Sequence, residues 1–189
     1  MTLYPHEVIP SQLDVDHLSV IRENVTNFLQ KTARICSKTP GRILDIGPQD
    51  YEGIRLFLRS EVVETLDIDP DSGCTYIGDI CQNNGCLRDN SFDYVIFTEV
   101  LEHTLNPFAA ISEIRRILKT GGMLFLSVPL NFRIHGPLPD CWRFTEHGLR
   151  TLLDDFMIVK MDALETPGRP LMPIHYTVIA QKAPGRRKG

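Results

Sequence analysis

The chain has 189 residues, 42% of them hydrophobic and 23% charged, with 20 Lys and Arg against 24 Asp and Glu for a formal net charge of −4. That size suits one domain of roughly 100–200 residues, and the composition excludes a collagen-like, coiled-coil or disordered chain. No apolar run approaches the ~20 residues of a bilayer-spanning helix. The start, MTLYPHEVIPSQLDVD, lacks a basic segment followed by an apolar one, so a cytoplasmic protein without a membrane partner is expected. The acidic balance weighs against nucleic acid as a partner.

Cys36, Cys74, Cys81, Cys86 and Cys141 are odd in number and form no CxxC pair. They read as free thiols of a reducing compartment, and no metal site is expected. The tail APGRRKG gathers Arg186, Arg187 and Lys188 and reads as a solvated, flexible terminus. The expected organisation is one domain over 1–182, with a leading helix at about 16–36, and a basic tail over 183–189.

Leu18, Ile21, Val25, Phe28, Leu29 and Ile35 recur with a 3.6-residue period, which predicts an amphipathic helix with Asp16 as its N-cap. Lys38-Thr39-Pro40-Gly41 breaks it. RILDIG (42–47) then reads as a buried strand, and residues 50–60 as a helix carrying Ile54, Leu56, Phe57 and Leu58. VVETLDI (62–68), TYIGD (75–79) and FDYVIF (92–97) follow as strands. Asn106-Pro107 opens a helix that buries Phe108, Ile111, Ile114 and Leu118 and ends at Lys119-Thr120-Gly121-Gly122. MLFLSVP (123–129) is the next strand, followed by a long loop over 130–144. Thr145 caps a helix with Leu149, Leu152 and Leu153. FMIVKMDAL (156–164) and IHYTVIAQK (174–182) read as an antiparallel hairpin at one sheet edge.

Strands apolar on both faces and alternating with helices predict an α/β fold, with a Rossmann-like, doubly wound and mostly parallel sheet. Such sheets bind ligands at the carboxyl ends of their strands. Gly47, after the first strand, lets the backbone approach a ligand. Asp67, placed 22 residues after Asp45, can accept from both hydroxyls of a ribose. Asp79 can accept from an adenine amine, with Ile80 as an apolar wall for the ring. Thr98-Glu99-Val100-Leu101-Glu102-His103 follows the most apolar strand.

In this order ILDIG, LDIDP, YIGDI, FDYVIFTEVLEH and IRRILKTGGMLFLSVP resemble class I S-adenosylmethionine-dependent methyltransferases, especially the small-molecule group with a "type 11" core. DCWRFTEHGLRTLL looks like a segment of bacterial members that ends in DYWRFT before a helix. The resemblance spans roughly residues 40–182. It implies S-adenosylmethionine as cofactor, with Asp45, Gly47, Pro48 and Gln49 near its methionine part. Asp67 and Ile68 would lie at the ribose with Asp69 as a substitute, Asp79 and Ile80 at the adenine, and Thr98 and Glu99 below the sulfonium. The family has glycines at the second, fourth and sixth positions after the acidic residue, where this chain has Gly47, Gln49 and Tyr51.

The implied activity is methyl transfer to a small molecule or glycan, at a hydroxyl, by a monomer or homodimer. His103 and His135 are the candidate general bases for such an acceptor. Enzymes that methylate nucleic-acid amines usually carry an NPPY-like tetrapeptide after the fourth strand, where this chain has TEVL. The altered glycine loop motivates the alternative, a non-catalytic binding or partner module on the same fold. A nicotinamide oxidoreductase ranks last because no GxGxxG turn is present.

Overall fold

The computed structural model describes residues 7–48, 52–58 and 63–184. Strands run over Ile43–Ile46 (β1), Val63–Asp67 (β2), Tyr76–Ile77 (β3), Phe92–Thr98 (β4), Leu118–Pro129 (β5), Phe156–Thr166 (β6) and Arg169–Lys182 (β7). The helices are Gln12–Lys38 (α1), Pro107–Ile117 (α2) and Glu146–Leu152 (α3). The strands form one sheet in the order β3-β2-β1-β4-β5-β7-β6. β1 to β5 pair in parallel, whereas β7 is antiparallel to both β5 and β6.

Period-2 alternation sorts the buried strand residues into two cores, one on each sheet face. Leu44, Val95, Phe97, Leu124, Leu126 and Val128 pack with Ile111, Ile114 and Ile117 of α2 and with Leu149 and Leu152 of α3. Ile43, Tyr94, Ile96 and Phe125 face the opposite way and meet Phe28, Leu29, Ala33 and Cys36 of α1. Phe92 and Tyr94 would share a face by parity, yet they fall in opposite cores. The ladder slips register between them, and that irregularity turns Phe92 over.

The α/β architecture and the antiparallel C-terminal hairpin agree with the sequence reading, whereas several boundaries move. α1 begins at Gln12, not at about residue 16. Its N-cap is Ser11, whose hydroxyl accepts from the Asp14 amide while Asp14 accepts from Ser11. This capping box holds a first turn that leaves Leu13 and Val15 exposed, so no apolar period announces it. Between β1 and β2 the described residues hold only a 3₁₀ turn, Gly53–Leu56, in place of the expected helix. Asn106 caps α2 as expected, accepting from the Ala109 amide at 3.1 Å. Phe108 is not buried by α2: it lies outside the stripe of Pro107, Ala110, Ile111, Ile114 and Ile117 and is 62% exposed. β5 starts at Leu118, five residues early. The hairpin is longer than expected and closes through the two residues Pro167-Gly168, with Thr166 paired to Arg169 and φ +73° at Gly168.

Phe125 is fully buried, with its ring 6.3 Å from Phe28 and 6.2 Å from Tyr94. Phe125→Ala is expected to destabilise the chain by about 3–5 kcal/mol. At 2–4 °C per kcal/mol this lowers the melting temperature by roughly 6–20 °C, measurable by calorimetry.

Candidate active site

Backbone hydrogen bonds gather the carboxyl ends of the parallel strands. The Gly47 amide, just past β1, donates to Leu66 O of β2 at 2.8 Å, and the Gly78 amide donates to Asp67 O at 2.8 Å. Gly47 has φ +64°, and a Cβ there would stand 2.7 Å from Val100 Cγ2, so the turns after β1 and β4 lie directly against each other. Asp45 is buried and accepts from the Ile54 amide at 3.0 Å. A Cβ on Gly53, at φ +53°, would meet that carboxylate at 2.3 Å. Glycine at 53 therefore satisfies both the backbone and the close approach.

β4 ends at a carboxylate tied to three other elements. Glu99 adopts φ +56°, and its amide donates to Ser127 O of β5 at 3.1 Å. Its Oε1 accepts from Ser127 Oγ and lies against His175 Nε2, both at 2.7 Å. His175, on β7, is fully buried, and its Nδ1 lies 2.9 Å from Asn24 Nδ2 of α1. Burial raises the Glu99 carboxyl, but the charge and hydrogen bond of His175 and the Ser127 hydroxyl outweigh it, so the group is held below the usual carboxylate range.

The next turn, Leu101–His103, carries a second acid, Glu102, whose side chain is fully buried. Burial first, and then the neighbouring charge of Glu99, push this carboxyl well above its ordinary range. The loop over 130–144 is sewn onto this turn. The amides of Cys141 and Trp142 donate to Glu102 O, and Trp142 Nε1 donates to Thr104 O at 2.8 Å. Pro139 O lies 2.9 Å from His103 Nδ1. Asp140 accepts from the His135 amide at 2.9 Å and from Arg143 NH1 and NH2 at 2.5 and 2.7 Å. Burial lowers the His135 imidazole below its ordinary range against the opposing pull of Asp140. Trp142 also stacks on Phe144 at 6.0 Å, so both aromatics anchor the loop, and Arg143 pairs with Asp140.

Those of the residues singled out in the sequence that the structure describes therefore fall at one end of the sheet. Asp67 Oδ1 accepts from the Asp69 amide at 2.9 Å, and Ile68 is exposed beside it. Asp79 accepts from the Cys81 amide at 2.8 Å, with Ile80 buried next to it. Thr98 is opposite Ser127 in the ladder. Pro48 ends the first described segment, while Gln49 and Tyr51 lie outside the described residues, as does the tail from residue 185. All five cysteines are free, and among the described residues none joins a convergent group of three or more ligand-type side chains. Sequence reasoning passed over Asn24, Gly53, Glu102, Ser127 and His175. The signals were a glycine shortly after the first loop, an acid inside an apolar turn, and a His at an inward position of an alternating strand. A cavity of about 350 Å³, bordered by Arg42, Tyr76, Arg88 and Phe92, opens at the opposite end of the sheet, where β4 begins.

The chain belongs to the methyltransferase-domain family, which residues 17–159 match. Its fold is that of class I S-adenosylmethionine-dependent methyltransferases. No curated protein matches its sequence. One similar solved structure is an S-adenosylmethionine-dependent methyltransferase of Methanosarcina mazei, with 21% identity over 77% of this chain and 93% of that one and a TM-score of 0.58. Another is 1,6-didemethyltoxoflavin-N1-methyltransferase of Burkholderia thailandensis, solved with 1,6-didemethyltoxoflavin and S-adenosylhomocysteine. It shares 18% identity over 94% of this chain and 93% of that one, with a TM-score of 0.58. A third is a Haloferax volcanii complex between the Trm112 methyltransferase activator and a putative methyltransferase. It shares 13% identity over 94% of this chain and 100% of that one, with a TM-score of 0.60.

Burial raises the Asp45 carboxyl from 3.8 to about 7, opposed by the Ile54 amide and the charge of Arg55. A folded-state value above the unfolded one means that the folded chain binds the proton more tightly, so this stability is present at low pH and is lost as pH rises through about 7. The loss is on the order of 4 kcal/mol. Asp45→Asn keeps the acceptor for Ile54 and removes the titration. Its melting temperature is expected to gain on the unsubstituted chain between pH 4 and 8; a constant difference across that range would contradict the assignment.

Proposed function

We propose that the chain transfers the methyl group of S-adenosylmethionine to a small molecule or glycan, at a hydroxyl. The observation that carries this reading is the gathering of Gly47, Asp67, Asp79 and Glu99 at adjacent strand ends by the Leu66, Asp67 and Ser127 carbonyl bonds and the Val100 contact. Asp45 and Gly53 hold the loop after β1. Gly47, Pro48 and Gln49 receive the methionine part, and Asp67 and Ile68 the ribose. Asp79 and Ile80 take the adenine, and Thr98 and Glu99 lie below the sulfonium. The strand order supports methyl transfer over hydride transfer. In the dinucleotide fold the sixth strand continues the parallel series, whereas here an antiparallel β7 stands between β5 and β6.

The cofactor itself supplies the electrophilic methyl group. The protein's part is to align acceptor and sulfonium and to exclude water. His103 and His135 border the acceptor, where an imidazole takes the hydroxyl proton directly or acts through a bound ion. The 130–144 loop, fastened at Glu102 and Thr104, walls that side and favours an acceptor of modest size. That the seven described strands share one sheet supports reading residues 1–182 as one domain.

The second reading, a binding module without catalysis, draws on Gln49 and Tyr51 in the places of two glycines. Thermal unfolding with S-adenosylmethionine, S-adenosylhomocysteine or NAD separates the two. At 100 times its dissociation constant a ligand stabilises by about 2.7 kcal/mol, or roughly 5–11 °C for this length. Methyl transfer requires that shift with the two sulfur ligands and not with NAD, and Asp67→Ala should reduce it. No shift at millimolar concentration would leave the binding module.

A further inference from the structure

We infer that Glu102, His103 and His135 form a binding site for one divalent ion of the Mn-to-Zn series, a metal site that the sequence reading did not expect. One ligand atom from each lies within 4.8 Å of the others. Glu102 Oε1 is 3.8 Å from His103 Nε2 and 3.9 Å from His135 Nε2, beyond hydrogen-bonding range. Neither Glu102 oxygen has a hydrogen-bond partner among the described residues, although the side chain is fully buried. A buried carboxylate left in that state is costly unless something else fills its coordination. Donors around a first-row ion bonded at about 2.0–2.2 Å stand about 3–3.5 Å apart, so a small inward movement of the three side chains completes the site.

The imidazoles are already oriented as ligands. Pro139 O, which can only accept, stands 2.9 Å from His103 Nδ1, so that nitrogen carries the hydrogen and Nε2 presents its lone pair. His135 Nδ1 faces Asp140 Oδ2 at 3.0 Å and Arg133 O at 3.3 Å, which assigns the same tautomer. Asp140 is in turn fixed by Arg143. A carboxylate or carbonyl behind Nδ1 with Nε2 free is the usual support of a metal-bound histidine. Two neutral nitrogens and one carboxylate suit Mn, Fe, Co, Ni or Zn better than Mg or Ca, which prefer oxygen.

The site stands on its own geometry; its role rests on the methyl-transfer reading. A hydroxyl bound to the ion loses its proton to water more readily. Its oxygen then bonds to the methyl carbon as the carbon–sulfur bond breaks, leaving the electron pair on sulfur.

The test uses the whole chain, stripped with a chelator and titrated with Co²⁺ followed by visible absorption, and with Zn²⁺ and Mg²⁺ by calorimetry. One equivalent of Co²⁺ should produce d–d bands that Zn²⁺ displaces, while millimolar Mg²⁺ gives no heat of binding. Glu102→Gln and His135→Asn should each abolish the bands, and Asp140→Asn should weaken binding by about 10–100-fold. Without metal, Glu102→Gln should also melt higher than the unsubstituted chain, because it removes an uncompensated buried carboxylate. No bands, or bands retained in Glu102→Gln and His135→Asn, would overturn the site. S-adenosylhomocysteine binding by the same samples separates the two readings. Ion binding without it would remove methyl transfer and keep the site, and the converse would remove the site alone.

Discussion

The antiparallel placement of β7 between β5 and β6 sets the chemistry at the carboxyl end of the sheet. It lays His175 opposite Pro129 of β5, from where the ring reaches Glu99 with one nitrogen and Asn24 with the other. A fully buried imidazole needs partners for both nitrogens, and these two supply them. In the same step α1, β4, β5 and β7 become fastened to one carboxylate. The φ of +56° at Glu99 is a strained conformation for a side-chain-bearing residue, costing on the order of 1–3 kcal/mol. Its amide bond to Ser127 and its two side-chain bonds sustain it.

Four acids near this end of the sheet, Asp45, Glu99, Glu102 and Asp140, have shifted carboxyls, and their surroundings account for the directions. Glu99 is held ionised by His175 and Ser127, and Asp140 by Arg143 and the His135 amide. Among the described residues Asp45 accepts from one backbone amide, and with the charge of Arg55 this opposes burial too weakly to keep the carboxyl below about 7. Among the described residues Glu102 has neither cation nor donor at hydrogen-bond distance, and it faces two imidazole nitrogens. The first two acids hold the backbone and the loop in place. Asp45 organises the turn after β1, and Glu102 remains the group whose environment is incomplete.

Much of this was legible in the residues. The cores of β1, β4 and β5 are apolar runs bounded by Gly, Asp or Pro, and Asn106-Pro107 marks the start of α2 by its own chemistry. Asp67, Asp79 and Glu99 could be placed because acids directly after strands fall at the ligand end of a parallel sheet. What escaped depends on distant pairing. Residues 50–60 carry an apolar pattern that suits a helix, but the described part is a 3₁₀ turn with the Ile54 amide on Asp45. His175 gains its meaning from a partner 76 residues away, and Glu102 from a loop whose path no local pattern reveals.

The most direct test is a crystal structure of the chain grown with S-adenosylhomocysteine. The account predicts the ribose hydroxyls on Asp67, the adenine between Asp79 and Ile80, and the sulfur beside Glu99, facing His103 and His135. A ligand bound elsewhere, such as in the cavity bordered by Arg42, Tyr76 and Arg88, or a strand end that takes up no ligand at saturating concentration, would contradict it.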